Sequence, residues 1–399
     1  MKKSNSIAMV ELTRKPLFLS SVYFIFFVGM QLTNWKPIRY WGLRGDGTNF
    51  IDSEQVVNWT QCYKEIGDQI FASSGDCSGY IYGKIIPVFF SYFPGSENLS
   101  NVVGYSFLVL ISLVLGSVTS HLQIFSIKAL TFTVFVSPPV LLLAERGNFD
   151  SLMVTLLFVG ALLYCKRKYS LSFLTLAVSA LVKFYTIPVL LVFLFRPRKR
   201  NVILLFIPAF ILTVLVTAYE MSLIKSRFPS DTTYKFGMSI WARYLPEHLI
   251  PFSISIFANL VGILALFVTS FFVLSFYKYK FFSSQYSKFI HSTQNTNIFN
   301  FFFITHAACF FGGMSYDYRL IFLAISSLYL LNMKISNSNL ENTIKLLLVV
   351  TMWLSFPSGG LQPIGDLATG VLTVILLIEF IKINFTSHIP YLRLKAVNS

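Results

Sequence analysis

Long apolar stretches separated by short polar segments run through almost the whole chain. A helix of about 20 apolar residues spans the ~30 Å hydrocarbon core of a bilayer, so this pattern predicts a polytopic membrane protein. Several stretches are shorter, which indicates broken helices or helices enclosed by others. The apolar stretches are 17–33, 102–120, 125–144, 151–165, 171–195, 202–219, 254–277, 299–313, 320–332, 346–356 and 364–381.

The stretch 171–195 is interrupted at its centre, where 183–188 contains a lysine, a tyrosine and a proline. Basic residues flank both of its ends, at 166–168 and at 196–200. Lysine and arginine concentrate in cytoplasmic loops, so we expect both ends in the cytoplasm. The stretch then forms two short helices that meet at the interruption, with the tip of this hairpin on the outer side.

Composition and charge agree with a lipid environment. Only 12% of the 399 residues are charged and 55% are hydrophobic, whereas soluble domains carry about 25% charged residues. The net charge of +15 comes mainly from lysine and arginine on the predicted cytoplasmic side, so it indicates topology rather than nucleic-acid binding. We predict a single membrane domain over 1–399, with a cytoplasmic N-terminus and a first extracytoplasmic loop at 34–101.

This first outer loop contains two candidate catalytic carboxylates. Asp52 stands at the start of a predicted amphipathic helix that would lie on the membrane surface. It caps that helix, with Gln55 three residues on, or acts as a general base that takes a proton from the hydroxyl of a substrate that accepts the transferred group. The two roles can coexist. Asp46, between two glycines, is a rival base or a turn residue. The apolar face of the helix comprises Val56, Trp59, Tyr63, Ile66 and Ile70.

The same loop contains two of the four cysteines, Cys62 and Cys77. Two alternatives stay open for them: a disulfide, which forms in an oxidising compartment, and two separate thiols. Cys165 and Cys309 lie in apolar sequence, where we expect buried thiols.

The second outer segment joins two apolar stretches and contains Glu145, Arg146, Asn148 and Asp150. Such side chains are costly at a membrane boundary unless they have partners. One interpretation is a tight turn in which Asn148 or Asp150 caps the next helix. The other places Arg146 on a phosphate group, whose oxygens match the guanidinium fork.

Two further cations stand where an apolar stretch breaks or begins. Lys183 either extends along apolar surface towards water or supplies a second cation to a phosphate. Arg319 either forms a surface ion pair with Asp317 or binds a phosphate or sugar. For both residues the two interpretations are equally supported.

Several common cofactor motifs are missing from the sequence. The chain has neither a P-loop nor a dinucleotide-binding glycine motif, and its five histidines are scattered. A cytoplasmic site for a nucleotide sugar would need a soluble domain, so we expect any sugar donor to arrive at the outer face on a lipid. No metal is required, and Asp52, Asp150 and Asp317 would bind a divalent cation only if they converge.

Six short motifs follow one another in a characteristic order. They are Phe50-Ile51-Asp52, Trp59 with Cys62, Tyr80-Ile81-Tyr82, Glu145-Arg146-Gly147-Asn148-Phe149-Asp150, Lys183-Phe184-Tyr185 with Pro188, and Tyr316-Asp317-Tyr318-Arg319-Leu320-Ile321-Phe322. With this set the chain resembles the GT-C glycosyltransferases, most closely the bacterial polyprenyl-phosphate-sugar enzymes of glycosyltransferase family 87. It departs from the family's lysine-tyrosine-proline element, because Thr186 and Ile187 precede Pro188.

The resemblance implies an all-α GT-C bundle of about 10–12 membrane helices, with amphipathic helices on the outer face. It implies a mannosyltransferase-like enzyme of the bacterial inner membrane that moves a hexose, with inversion, from a polyprenyl-phosphate donor to a lipid or glycan acceptor. Asp52 matches the catalytic base, cations stabilise the departing phosphate, and no cofactor is implied. The expected substrate-binding residues are Asp46, Glu145, Arg146, Asn148, Asp150, Lys183, Tyr185, Asp317, Tyr318 and Arg319.

Two other classes of protein share the hydrophobic pattern. A glycan polymerase or ligase would have its largest outer loop later in the chain. A lipid or solute transporter would place polar residues near mid-membrane in paired halves, and the sequence shows no internal repeat.

Overall fold

The computed structural model describes residues 15–35, 50–72, 77, 82–93, 97–195, 200–223, 235–236, 293–311, 315–316, 319–333, 338–355 and 361–385. The chain divides into two compact units: Met1–Gln123 with Val140–Asp231, and Ile124–Pro139 with Thr232–Ser399. The apolar stretch 254–277 and the candidate residues Asp46, Asp317 and Tyr318 lie outside the described residues. The single domain over 1–399 and the outer loop at 34–101 stay predictions.

The described residues are almost entirely helical. The first unit contains most of the elements up to α10, and the second contains α5, α11–α14 and two short antiparallel strands. The helices are α1 (Pro16–Leu32), α2 (Ile51–Ile66), α3 (Ile85–Ser91), α4 (Glu97–His121), α5 (Phe125–Phe135), α6 (Pro138–Glu145), α7 (Asp150–Cys165), α8 (Tyr169–Val182), α9 (Val192–Phe195), α10 (Arg200–Leu223), α11 (Thr293–Phe311), α12 (Leu320–Asn332), α13 (Ser338–Leu354) and α14 (Gln362–Phe385). Two 3₁₀ helices cover Gly67–Ala72 and Phe184–Leu191, and the strands are β1 (Lys235–Phe236) and β2 (Ser315–Tyr316).

The apolar stretches form helices because lipid offers no partners to backbone N–H and C=O groups. Within the described residues, two helices are long and apolar enough to cross a membrane, Asn98–His121 and Gln362–Asn384, and α5 with α6 gives a third if the pair is one bent span. Most other apolar helices there have only 10–17 residues. The prediction of an all-α membrane protein is confirmed, and the short apolar helices agree with the expectation that some of the roughly 10–12 membrane helices are short or broken.

Helix α1 shows how an apolar helix divides its faces between protein and lipid. Tyr23 and Phe27 are buried, whereas Leu17 is 73% exposed. The buried face packs on α4, where the Tyr23 hydroxyl lies 3.1 Å from Thr119 Oγ1. The two helices approach closely because α4 has a glycine at the contact: a Cβ atom on Gly116 would lie 2.3 Å from an atom of Ser20. Small residues allow such close packing in membranes.

The predicted break in the stretch 171–195 is confirmed. Helix α8 ends at Val182, and Lys183 is extended, with φ −140° and ψ 114°. The chain then continues as the 3₁₀ helix and the short α9. A distant segment crosses the end of α8 here: the Gly83 N–H donates to the Val182 carbonyl at 3.2 Å. A Cβ atom on Gly83 would lie 1.7 Å from the Leu181 oxygen, so the crossing requires glycine.

The amphipathic helix predicted after Asp52 forms, and its apolar face packs against other helices of the protein. Val56 and Trp59 are buried, as is Ile70 in the following 3₁₀ turn. This face packs against α3 and α4, and the Trp59 ring contacts Tyr82 at a centroid distance of 5.8 Å. Apolar residues at helical spacing predict that one face of the helix is buried, and here it is buried against protein.

The second unit is tied together by polar contacts between helices. Asn300 on α11 and Asn384 on α14 exchange hydrogen bonds of 2.9 and 3.0 Å. His306 Nε2 lies 2.9 Å from Thr373 Oγ1 between the same two helices. Interhelical hydrogen bonds of this kind stabilise helix association in lipid by about 1 kcal/mol each.

Candidate active site

Three segments of the first unit meet at one place: the first turn of α2, the 145–150 turn between α6 and α7, and the residues after α8. The Phe50 N–H donates to the Glu145 carbonyl and the Asp52 N–H to the Arg146 carbonyl, both at 3.0 Å. The Ser53 hydroxyl donates to the Gly147 carbonyl at 2.6 Å. The first N–H groups of a helix have no partner within it, so the turn supplies carbonyls to them and fixes α2 in place.

The 145–150 turn depends on Gly147. Its φ is +55°, in the left-handed region where side chains are disfavoured. A Cβ atom there would lie 2.7 Å from Ser53 Oγ and 2.9 Å from an atom of the Phe50 ring. Both the backbone conformation and the close approach of α2 therefore require glycine at this position.

Asp52 and Arg146 form an ion pair at this junction. Arg146 donates to Asp52 Oδ1 from Nε at 2.9 Å and from Nη2 at 2.6 Å. The Asp52 side chain is 8% exposed and that of Arg146 is 33% exposed. The helix-capping interpretation of Asp52 is wrong: the N-cap is Phe50, and no side chain caps the helix. The carboxylate belongs to the site.

Asn148 connects this pair to a second one. Its Oδ1 accepts hydrogen bonds from Lys183 Nζ at 3.0 Å and from the Asp150 backbone N–H at 2.8 Å. Because the amide oxygen is occupied by two donors, the Nδ2 group is turned towards Asp52 and donates to Oδ2. The contact with the Asp150 N–H is a local turn bond before α7. The helix cap expected from Asn148 or Asp150 is wrong, because the N-cap is Phe149 and no side chain caps the helix.

Asp150 and Lys183 form the buried half of the site. Their ion pair measures 2.6 Å, with side-chain exposures of 0% for Asp150 and 5% for Lys183. The Tyr185 hydroxyl donates to the same Asp150 oxygen, and Lys183 Nζ lies 4.8 Å from the centre of the Tyr82 ring. A buried charge is tolerated only when paired and hydrogen-bonded, and these contacts meet that condition.

An aromatic cluster closes the site behind Asn148 and Asp150. Phe149 is buried and its ring contacts Phe107 at 4.7 Å, Tyr82 at 5.6 Å and Phe90 at 6.1 Å between centroids. Edge-to-face aromatic packing is stabilising and directional. It holds the 145–150 turn rigidly, so the charged groups in front of it keep fixed positions.

The structure brings together seven of the residues selected from the sequence: Asp52, Glu145, Arg146, Asn148, Asp150, Lys183 and Tyr185. Glu145 joins through its backbone carbonyl, and its side chain is buried. Arg319 is described at the start of α12, in the second unit. Lys183 is placed behind the Asp52–Arg146 pair rather than on the surface.

Part of the chain that contributes to this site matches a known family. Residues 88–247 match the model of glycosyltransferase family 87. The resemblance recognised from the motifs and the expected enzyme class, a glycosyltransferase, are thereby confirmed. The match covers about two fifths of the chain, including the 145–150 turn and Lys183 but not Asp52. No curated protein and no solved structure matches the chain significantly.

The sequence pointed to the charged residues of this glycosyltransferase but not to those that hold them. Ser53 and Gly147 dock α2 onto the turn, and Tyr82 covers the Lys183 ammonium group. In the sequence, the glycine between Arg146 and Asn148 is the local feature that indicates the turn. No local pattern indicates that Ser53 would face a carbonyl 94 residues away.

The first unit, which contains the site, also contains a disulfide. Cys62, on α2, is bonded to Cys77, with the two Cα atoms 5.8 Å apart. Of the two alternatives left open by the sequence, the structure has the disulfide. Among the described residues, no three His, Cys, Asp or Glu side chains are grouped to hold a metal ion.

Proposed function

We propose that the protein transfers a hexose from a polyprenyl-phosphate donor to a lipid or glycan acceptor, with inversion at the anomeric carbon. The family match supports glycosyl transfer. The observation that carries the mechanism is the Asp52–Arg146 pair, in which a carboxylate and a part-exposed guanidinium lie 2.6 Å apart. The carboxylate can accept a proton from a hydroxyl group, and the guanidinium can bind a negatively charged phosphate.

In this mechanism Asp52 is the general base. The acceptor oxygen attacks the anomeric carbon from the side opposite the phosphate, and its proton passes to the Asp52 carboxylate. The bond between the anomeric carbon and the phosphate oxygen breaks, and the electron pair leaves with the polyprenyl phosphate. One bond forms and one breaks at carbon, so the configuration inverts. No further reactant is needed.

Arg146 stabilises the leaving phosphate in the same proposal. A guanidinium group has five N–H donors, and Asp52 accepts from two of its nitrogens. With 33% of its side chain exposed, Arg146 reaches further outward than Asp52, Asp150 or Lys183. A cation fixed where negative charge develops lowers the barrier, because it needs no rearrangement during the reaction.

Lys183 supports this arrangement from inside the protein. Its ammonium group contacts Asp150, Asn148 and the Tyr82 ring. We assign it the task of orienting Asn148 and contributing positive charge behind the base. Direct contact with the donor phosphate, the alternative suggested by the sequence, would require these buried contacts to open.

The proposed site lies on the outer face of a bacterial inner membrane. Disulfides persist in oxidising compartments and are rare in the cytosol, and Cys62–Cys77 involves the same helix that carries Asp52. The concentration of lysine and arginine in the other loops supports the same orientation. A polyprenyl-linked sugar is the form of donor expected on that face.

The direct test measures sugar transfer from synthetic polyprenyl-phosphate sugars in membranes containing the protein. Asp52→Asn should lower transfer by at least about 100-fold, because a general base contributes that much or more. Glu54→Gln is the matched control: its carboxylate is exposed two residues away on the same helix. Full activity in Asp52→Asn would refute the role of the base, and no consumption of any such donor by the wild type would refute the substrate class.

A further inference from the structure

Ser53 adjoins the proposed base and is completely buried, with 0% of its surface exposed. Its hydroxyl does not extend towards the charged groups. It donates to the Gly147 carbonyl at 2.6 Å, across 94 residues of sequence. The contact therefore joins the helix that carries Asp52 to the turn that carries Arg146.

The position of Asp52 relative to Arg146 depends on this junction. Two backbone hydrogen bonds, from Phe50 to Glu145 and from Asp52 to Arg146, run beside the Ser53 contact. Ser53 adds a side-chain clamp to them. Loss of the hydroxyl leaves the buried Gly147 carbonyl without this donor, which favours a shift of the helix relative to the turn.

We propose that Ser53 is a positioning residue for the transfer reaction: it touches no substrate and sets the distance between Asp52 and Arg146. The proposal rests on the proposed function for its kinetic consequences. Misplacement of a catalytic group by about 1 Å can lower a rate about 100-fold, so a single buried hydrogen bond can control activity.

The kinetic test compares Ser53→Ala with Ser151→Ala. Ser151 is also buried, at the start of α7, and its hydroxyl makes no hydrogen bond to the described residues. Ser53→Ala should lower kcat by about 10- to 100-fold and change KM by less than about threefold, because ground-state binding groups are untouched. Ser151→Ala should keep kcat within about twofold, and Ser53→Thr, which keeps the hydroxyl, should restore most of the loss. If Ser53→Ala does not fold, Ser53→Cys provides a weaker donor of similar size.

A second comparison uses two glycines that both have positive φ. Gly147 has φ +55° and faces Ser53, whereas Gly67 has φ +57° and no atom within 4 Å of the position that a Cβ would take. Both alanine variants place a side chain at positive φ, where it is disfavoured, but only Gly147→Ala pushes against Ser53 and Phe50. We expect Gly147→Ala to lower kcat as Ser53→Ala does, and Gly67→Ala to leave kcat within about twofold.

A stability measurement separates this proposal from the reaction itself. Thermal unfolding of Asp52→Asn, Arg146→Gln and the double variant gives the coupling between the two side chains. The coupling should fall by at least half when Ser53 is alanine. If the wild type consumes no polyprenyl-phosphate sugar, the proposed function fails but this coupling still tests Ser53. An unchanged coupling, or equal kcat in Ser53→Ala and Ser151→Ala, overturns the positioning role.

Discussion

At the scale of single residues, Asn148 decides how the site is organised. It donates to Asp52 and accepts from Lys183. It therefore connects the Asp52–Arg146 ion pair to the Asp150–Lys183 ion pair. An amide can do this because it has a donor and an acceptor on opposite sides. A carboxylate of the same shape would present acceptors on both sides.

Asn148→Asp should therefore disrupt the site with almost no change of shape. The new carboxylate would replace the donor that faces Asp52, so a hydrogen bond is lost and two like charges meet. We expect the thermal unfolding temperature to fall, by an amount equivalent to about 1–3 kcal/mol, and sugar transfer to fall by at least about 100-fold. Asn101→Asp, on the exposed side of α4, is the control; equal losses in both variants would contradict the role given to Asn148.

At the scale of elements, the ion pair between Asp150 and Lys183 joins the start of α7 to the end of α8. Lys183→Met leaves the Asp150 charge buried without its cation, which costs about 3–5 kcal/mol in comparable sites. The unfolding temperature should fall strongly, and Asp150→Asn added to Lys183→Met should restore part of the loss. Lys166→Met, at an exposed lysine, should have little effect. A stable Lys183→Met variant would show that the pair does not hold these helices.

The disulfide is the other connection between elements that can be removed cleanly. Cys62 and Cys77 are 15 residues apart in sequence, and closing a loop of that size stabilises a protein by about 3 kcal/mol in the chain-entropy model. Cys62→Ser with Cys77→Ser should lower the unfolding temperature in detergent, and a reducing agent should do so only in the wild type. Cys165→Ser, outside the bridge, should keep the wild-type unfolding temperature and the wild-type response to the reducing agent. A reductant effect on the double variant would contradict the assignment.

The sequence predicted the helices themselves better than it predicted which helices pack against each other. Apolar stretches identified the helices within the described residues, and the polar interruption at Lys183 identified a break, since both signals are local. The apolar face of α2 was correctly predicted, but its partner was not predictable. A helix face buried against lipid and one buried against protein have the same spacing of apolar residues. Ser53 was missed, and Tyr82 was quoted only within a motif and given no role, since their contacts depend on distant carbonyl and ammonium groups.

At the scale of the whole molecule, charge and redox chemistry make the orientation testable. We expect the helix that carries Asp52 outside the cell membrane and the turn between α7 and α8 inside. With Cys165 and Cys309 replaced by serine, Glu54→Cys should react with a membrane-impermeant maleimide in intact cells. Lys168→Cys, also at an exposed position, should react only after permeabilisation. The reverse pattern would place the site on the cytoplasmic face.

The long sequence separation within the site has a consequence for biosynthesis. Asp52 and its guanidinium partner are 94 residues apart, so at about 5–20 residues per second the ribosome needs roughly 5–20 s after completing the first to deliver the second. Throughout that interval the Asp52 carboxylate has no guanidinium partner and must be solvated by water. The Cys62–Cys77 bond can form early in this period. A chain halted before position 146 would therefore contain the disulfide but an unpaired Asp52 carboxylate.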